Sequence, residues 1–263
     1  MAVRAPLAAD WALSHGMGAL TTAEVAELLG APAAQVPQRL ASAIRRTEWV
    51  TPARGLWIPV PPEYRGWDGP PAVEFLDALM RHMGVTYYLG WLSAAAMYGA
   101  AHHAPQVTQV ATSRLVRDRQ VGRVRLQFHT RTQVDVLPTT THMARTGPVR
   151  MSTPEVTALD LAADPAIGGG LDNVATVLVD LADQERLNPA RIAQSTHRFP
   201  PAVGRRLGWL LEQFTQTDGL DALQRVVAPV TPTPSLLDSL GRPHGRVDSR
   251  WNLRINADVE PDA

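Results

Sequence analysis

Between Thr21 and Ile58 the chain sets helix-start and helix-stop signals so closely that few local folds satisfy all of them. Thr21-Thr22-Ala23-Glu24 has the S/T-x-x-E spacing of a capping box, in which hydroxyl and carboxylate each satisfy an orphan amide at a helix N-terminus. Val25, Leu28 and Leu29 continue at helical spacing until Gly30-Ala31-Pro32 stops the pattern. A second helix runs on to Arg45-Arg46, with Val36, Leu40, Ala43 and Ile44 facing inward. Pro37 is tolerated only in a first turn, so this helix is expected to start near Gln35. Glu48 to Ile58 then reads as two short strands around Ala53-Arg54-Gly55. Helix, turn, helix and hairpin in this order make the winged helix-turn-helix plan, which points to double-stranded DNA.

The second helix carries the side chains such a partner needs. Gln35, Gln38, Arg39, Ser42, Arg45 and Arg46 fall on the face opposite the apolar stripe. Amides and guanidiniums read base edges in pairs of hydrogen bonds, and the N-terminal half of the second helix does the reading in helix-turn-helix proteins. Gln35, Gln38 and Arg39 are therefore the candidates for bases, and Arg45 and Arg46 for phosphate. Arg54 at the hairpin tip is a candidate for phosphate or the minor groove. A small helical domain with a solvated polar face is the plainer account of the same pattern. Glu24, Glu27 and Glu48 lower the local field and argue against tight non-specific binding by this segment alone.

Net charge is zero, which excludes a wholly basic binder but hides an uneven distribution. Residues 104–150 hold 8 Arg against 2 acids, whereas residues 151–263 hold 10 Arg against 15 acids. Within the basic middle, Arg114, Arg117, Arg119, Arg123 and Arg125 have three readings: a second DNA-contacting surface, a surface for an acidic partner, or a solvated face. With no cysteine, disulfides, thiolate nucleophiles and Cys-ligated zinc are excluded. With no lysine, Walker-type nucleotide sites and Schiff-base chemistry are excluded.

The expected fold class is α+β. Residues 1–60 are expected to form the winged helix domain, after a short helix at 7–14. Residues 61–71, rich in proline and glycine, are expected to be a linker. Residues 72–263 are expected to form a larger mixed domain with a small antiparallel sheet and several helices. Its expected helices lie at 72–83, 93–98, from 152 onward, at 171–182, from 188 and at 207–214. Expected strands lie at 107–112, 121–129 and 132–137, with one more near 251–256. The 121–129 segment alternates Val121, Arg123, Arg125, Gln127 and His129 with Gly122, Val124, Leu126 and Phe128.

Enzyme readings find little support. The histidines at 15, 82, 102, 103, 129, 142, 197 and 244 show no metal-binding spacing, so neither metal nor cofactor is expected. Ser93 lies in no nucleophile elbow. A winged helix joined to a nuclease-like domain would need clustered carboxylates on a strand pair. Asp135, on the expected 132–137 strand, is the one acid in such a place. The N-terminus shows no secretory pattern and no run is long enough to span a membrane, so a soluble, cytoplasmic protein is expected.

Several motifs in order carry a family resemblance. They are Arg54-Gly-Leu-Trp-Ile-Pro59, Tyr87-Tyr-Leu-Gly-Trp-Leu-Ser-Ala-Ala95 with Gly99, and Ser152-Thr-Pro-Glu155 leading to Asp160-Leu161. Arg206-Leu-Gly-Trp-Leu-Leu-Glu212 and Arg250-Trp-Asn-Leu-Arg-Ile-Asn256 with Glu260 follow. Over nearly the whole chain this resembles the AbiEi family, the antitoxins of AbiE-type (type IV) toxin–antitoxin pairs. The resemblance implies a winged helix that binds inverted repeats at its own promoter and represses the operon. It implies a C-terminal domain that counteracts a toxin of nucleotidyltransferase fold, AbiEii, in abortive infection of phage-attacked bacteria. It implies no catalytic activity. The DNA-facing residues it carries over are Gln35, Gln38, Arg39, Arg45, Arg46 and Arg54. A stand-alone winged-helix transcription factor with a ligand-sensing C-terminal domain is the alternative.

Overall fold

The capping box at Thr21 forms in full. Thr21 Oγ1 accepts from the Glu24 amide at 3.3 Å, and Glu24 Oε2 accepts from the Thr21 amide at 2.6 Å. Gly30 closes the same helix in the left-handed region, at φ 56°, where the lack of a Cβ removes the strain. This computed structural model describes residues 2–101, 106–228 and 233–262. His102 and His103 lie outside the described residues.

In chain order the first elements are α1 (Ala8–Ser14), β1 (Leu20–Thr21), α2 (Thr22–Leu29), α3 (Val36–Arg45), β2 (Trp49–Ala53) and β3 (Leu56–Pro59). Then come α4 (Pro62–Arg65), α5 (Leu76–Met83), β4 (Tyr87–Leu89), α6 (Trp91–Met97), β5 (Thr108–Thr112), β6 (Arg119–Val121) and β7 (Val124–Thr130). A hairpin, β8 (Thr139–Ala144) and β9 (Gly147–Ser152), leads to α7 (Pro154–Ala163), α8 (Leu171–Asp183), α9 (Pro189–Thr196), α10 (Pro201–Phe214) and α11 (Asp221–Val227). Three short strands, β10 (Ser235–Leu236), β11 (Val247–Asp248) and β12 (Leu253–Arg254), finish the α+β fold.

The chain divides into two units, the first being Met1–Tyr87, Gln106–Thr132 and Thr141–Arg150. Its N-terminal core joins Ala8 and Ala12 of α1, Val25, Leu28 and Leu29 of α2, and Val36, Leu40 and Ala43 of α3 to Trp49 and Trp57 of the hairpin. Those indoles meet edge to face, with ring centroids 6.4 Å apart. The hairpin β2–β3 is antiparallel, and β1 adds a third strand through Leu20↔Trp57. Trp57 Nε1 donates to Thr22 Oγ1 at 2.9 Å, and the Thr22 amide donates to the Gly55 carbonyl at 3.0 Å. The hairpin is thereby tied to the first turn of α2. Pro37 falls in the first turn of α3, where it breaks no intrahelical bond.

In five places the first unit or its neighbours differ from expectation. Ile44 is 40% exposed rather than inward, because it falls at the edge of the stripe that Val36, Leu40 and Ala43 bury. The segment 61–71 is no free linker. Pro62–Arg65 makes a helical turn, and Arg65 donates to the Val60 carbonyl at 3.1 Å and to Asp10 at 2.5 Å. The first unit runs through this segment to Tyr87 and takes in much of the basic middle, instead of ending near residue 60. The strand expected at 121–129 is two strands: Gly122, at φ 58°, turns β6 antiparallel onto β7, and a Cβ there would stand 1.8 Å from the Asp68 carbonyl oxygen. The strand expected at 132–137 is a run of turns. On β7 the expected alternation holds, with Leu126 and Phe128 buried and Arg125 exposed. β5 lies parallel to β7, pairing Val110 with Phe128.

The second unit is Tyr88–Pro105, Gln133–Thr140 and Met151–Ala263. Its central helix is α7, buried from Glu155 to Ala162. A helix buried on every side must satisfy its polar groups internally. Thr157 Oγ1 sits 2.7 Å from Ser152 Oγ, and Asp160 Oδ2 accepts from Tyr88 Oη at 3.0 Å. Thr153 caps the helix through the Val156 amide. Strand β4 pairs parallel with β9 at Leu89↔Met151. From α10, Arg206 donates to the carbonyls of Ala162, Leu236 and Leu237. Arg205 donates to those of Val227 and Thr233. Two buried guanidiniums thus fasten the C-terminal strands, where β12 pairs parallel with β10 and antiparallel with β11.

Candidate nucleic-acid interface

Helix α3 sorts its residues cleanly. Val36, Leu40 and Ala43 are buried, whereas Gln38, Arg39, Ser42, Arg45 and Arg46 are exposed, as is Gln35 just before the helix. Gln35 and Arg39 do not act separately. Arg39 Nε and Nη2 both donate to Gln35 Oε1, at 3.3 and 3.2 Å, so one side chain orients the other on the first two turns. Arg46 is engaged elsewhere. Its Nε and Nη2 meet the two Glu48 carboxylate oxygens at 2.8 and 3.1 Å, and its Nη1 donates to Ser42 Oγ at 2.7 Å. The hydrogen bond to Glu48 holds the Arg46 guanidinium above its ordinary pKa. Gln38 and Arg45 have no side-chain partner among the described residues.

The hairpin tip is anchored from outside the N-terminal core. Arg54 is exposed, and its carbonyl accepts from His82 Nε2 at 3.0 Å. The next residue, Met83, accepts at its carbonyl from Arg114 Nη2 at 2.7 Å. Two consecutive residues at the end of α5 therefore hold the hairpin tip and the basic loop 113–118 side by side. A second tie runs from β6, where Arg119 Nη1 donates to the Pro52 carbonyl of β2 at 2.8 Å. The hairpin and the arginine-rich strands belong to one compact unit, which segment composition alone did not disclose.

The five arginines of the basic middle divide by task. Arg114 and Arg119 spend hydrogen bonds on backbone carbonyls, and Arg123 pairs with Asp68 at 3.3 Å with both side chains more than half exposed. A pair that open to water contributes little to stability. Arg117 and Arg125 are exposed and have no ion-pair partner among the described residues. His82 and Met83 are the site residues sequence reasoning missed. Their role depends on where α5 ends relative to a hairpin about thirty residues earlier, which no local pattern encodes.

The carboxylates of a nuclease are not assembled where the sequence placed them. Asp135 is exposed on a turn rather than on a strand pair. Among the described residues no group of three or more His, Asp or Glu side chains could hold a metal ion. No helix of the described residues is long and apolar enough to cross a membrane.

The motifs of the second unit have structural work. Gly208 of α10 lies against Trp251, whose Nε1 donates to Glu212 Oε2 at 2.6 Å. Arg250 bridges Glu212 at 2.9 Å and Asp221 at 2.7 Å. Tyr98 Oη donates to the Ser152 carbonyl at 2.6 Å.

No curated protein matches the chain. The crystal structure of the RV2827C protein from Mycobacterium tuberculosis is similar over 95% of this chain and 90% of that one, with a TM-score of 0.67 at 16% identity. At that identity the likeness is one of fold alone. Residues 88–213 match the family model described as the AbiEi antitoxin C-terminal domain, and the span holds Tyr88, Ser152, Thr153, Asp160, Arg206 and Gly208. Residues 88–213 therefore resemble an AbiEi antitoxin C-terminal domain.

Proposed function

We propose that this protein is an antitoxin that represses its own operon, binding inverted repeats in double-stranded DNA at its promoter and opposing a toxin of nucleotidyltransferase fold. The observation that carries the DNA part is the α3 face. Gln35, Gln38, Arg39, Ser42, Arg45 and Arg46 are all exposed opposite a buried stripe, and the hairpin beside them presents Arg54. Side chains of this chemistry on a helix fixed by a capped partner helix and a hairpin suit the major groove. The Gln35–Arg39 hydrogen bonds fit a base-reading role, because a preoriented guanidinium loses less freedom on binding.

The arginine-rich strands deepen the same reading. The N-terminal segment alone is nearly neutral, and phosphate contacts supply most of the affinity for DNA. Arg117 and Arg125, in the same compact unit as the hairpin, add unpaired cations. The C-terminal domain then serves toxin neutralisation, as its family implies.

Two measurements test the two halves. Footprinting on the DNA upstream of the gene is expected to show paired protected half-sites. Loss of protection in a Gln38→Ala, Arg39→Ala double variant that melts normally is the matching expectation. Uniform protection, or none, sinks the operator reading. Co-expression with the adjacent toxin gene is expected to restore growth, and no rescue by the folded protein sinks the neutralisation reading.

A further inference from the structure

We propose that Leu115 is a wedge that enters a base-pair step of the bound duplex and unstacks it, with Arg114 and Arg117 on the flanking backbone. This rests on the DNA reading above and assigns a task to a loop that reading leaves unused. Leu115 is 81% exposed, on a loop that is otherwise well anchored. The Ser113 amide donates to the Thr86 carbonyl at 3.0 Å, and Arg114 is held at Met83. Val116 is buried, and Asp118 Oδ1 accepts from the Phe128 amide at 3.0 Å. With Val116 filling the inward place, the loop has no packing use for Leu115 and presents it outward on a fixed support.

Three features make DNA the surface it meets. The loop shares its α5 anchor with the hairpin tip, through His82 to Arg54 and Met83 to Arg114, so both are held at one place. Its flanking charges are arginines, and the one acid, Asp118, is turned onto a backbone amide. Leucine between basic residues is a side chain that minor-groove proteins insert between base pairs, where the unstacking cost is offset by closer backbone contact. Leu240 offers a contrast. It is 85% exposed, but lines a recess of about 390 Å³ with Asp164, Asp172, Asp238 and Asp258, whose charge opposes DNA.

The test uses the full chain and duplexes from the region upstream of its gene, with 2-aminopurine placed in turn at each TA and CA step. Wild type is expected to raise the fluorescence at one step on binding. Leu115→Ala should abolish that rise and weaken binding about tenfold, while Leu115→Phe retains the rise and Leu240→Ala behaves as wild type. Unchanged thermal melting of these surface variants is expected. An equal rise with Leu115→Ala, or no rise at any step from wild type on a duplex it binds, overturns the wedge. A wild type that binds no duplex overturns the DNA reading and the wedge together. If Leu115→Ala changes only the sedimentation of the free protein, Leu115 is a protein contact and the wedge is wrong.

Discussion

Trp251 occupies the space that a side chain at position 208 would need. A Cβ on Gly208 would stand 2.1 Å from Cζ3 and 2.3 Å from Cη2 of its indole. The indole is fully buried and is held in place by its hydrogen bond to Glu212, so it cannot swing aside without breaking that bond. Gly208→Ala is therefore expected to destabilise the protein by about 3 kcal/mol, the upper part of the usual cost of overpacking. Denaturant unfolding measures it. The pairing itself is checked by Trp251→Ala, in whose background Gly208→Ala should cost far less; additive losses would contradict the contact.

The hydroxyl of Tyr88 and the carboxylate of Asp160 meet at 3.0 Å where both side chains have no solvent access. Removing the phenolic donor takes one hydrogen bond from the carboxylate in a region water does not reach. Tyr88→Phe should cost roughly 1–3 kcal/mol. Asp160→Asn keeps a polar partner for Tyr88 and should cost less. A Tyr88→Phe protein that unfolds at the wild-type denaturant concentration would mean that the pair contributes nothing.

Glu48 engages Arg46 in a two-pronged ion pair. Glu48→Gln keeps the shape but removes the negative charge beside α3. DNA binding at low salt is expected to tighten roughly threefold to tenfold, the effect of about one further phosphate contact. A gel-shift titration decides it. Weaker binding by Glu48→Gln would show that the pair orients Arg46 for DNA instead of withholding it.

Tyr87 and Tyr98 are expected to set an alkaline limit. Burial first, and then the Asp77 carboxylate, raise the Tyr87 phenol above its ordinary value; burial and then Glu155 do the same for Tyr98. A group whose pKa is raised by folding contributes stability that is fully present below its unfolded value and is lost as pH climbs from there toward the folded value. For tyrosine that decline begins near pH 10. Melting temperature should fall above about pH 10, and Tyr87→Phe with Tyr98→Phe should flatten the fall. An equally steep fall in the double variant would place the alkaline limit on other groups.

The N-terminal unit was legible where its determinants are local. The capping box needs four consecutive residues, and the hairpin tip needs Arg54-Gly55. Both stand where the pattern puts them. What was not legible depends on distant chain. Gly122 turns because the Asp68 carbonyl lies where a Cβ would be, fifty-four residues earlier, and nothing near Gly122 announces it. The hairpin β8–β9 was missed because β8 has no buried residue, so its threonines show no alternation to read. Among the candidate DNA contacts, exposure of the α3 face followed from helical spacing. The division of the five arginines into anchored and free did not, since it turns on the carbonyls of Pro52 and Met83.

That division separates two effects of removing an arginine. Among the described residues Arg117 and Arg125 have no side-chain partner, so Arg117→Ala with Arg125→Ala should leave unfolding unchanged. If both meet phosphates, the salt slope of DNA binding should become shallower by about 1.8, at roughly 0.9 per contact. Arg119 instead holds the hairpin strand through Pro52, so Arg119→Ala should lower stability by about 1 kcal/mol. Binding isotherms between low and physiological salt, beside a denaturant melt of each variant, separate the two. A slope that does not change in the Arg117, Arg125 variant would confine the DNA contact to α3 and the hairpin, and leave the basic strands without a share in it.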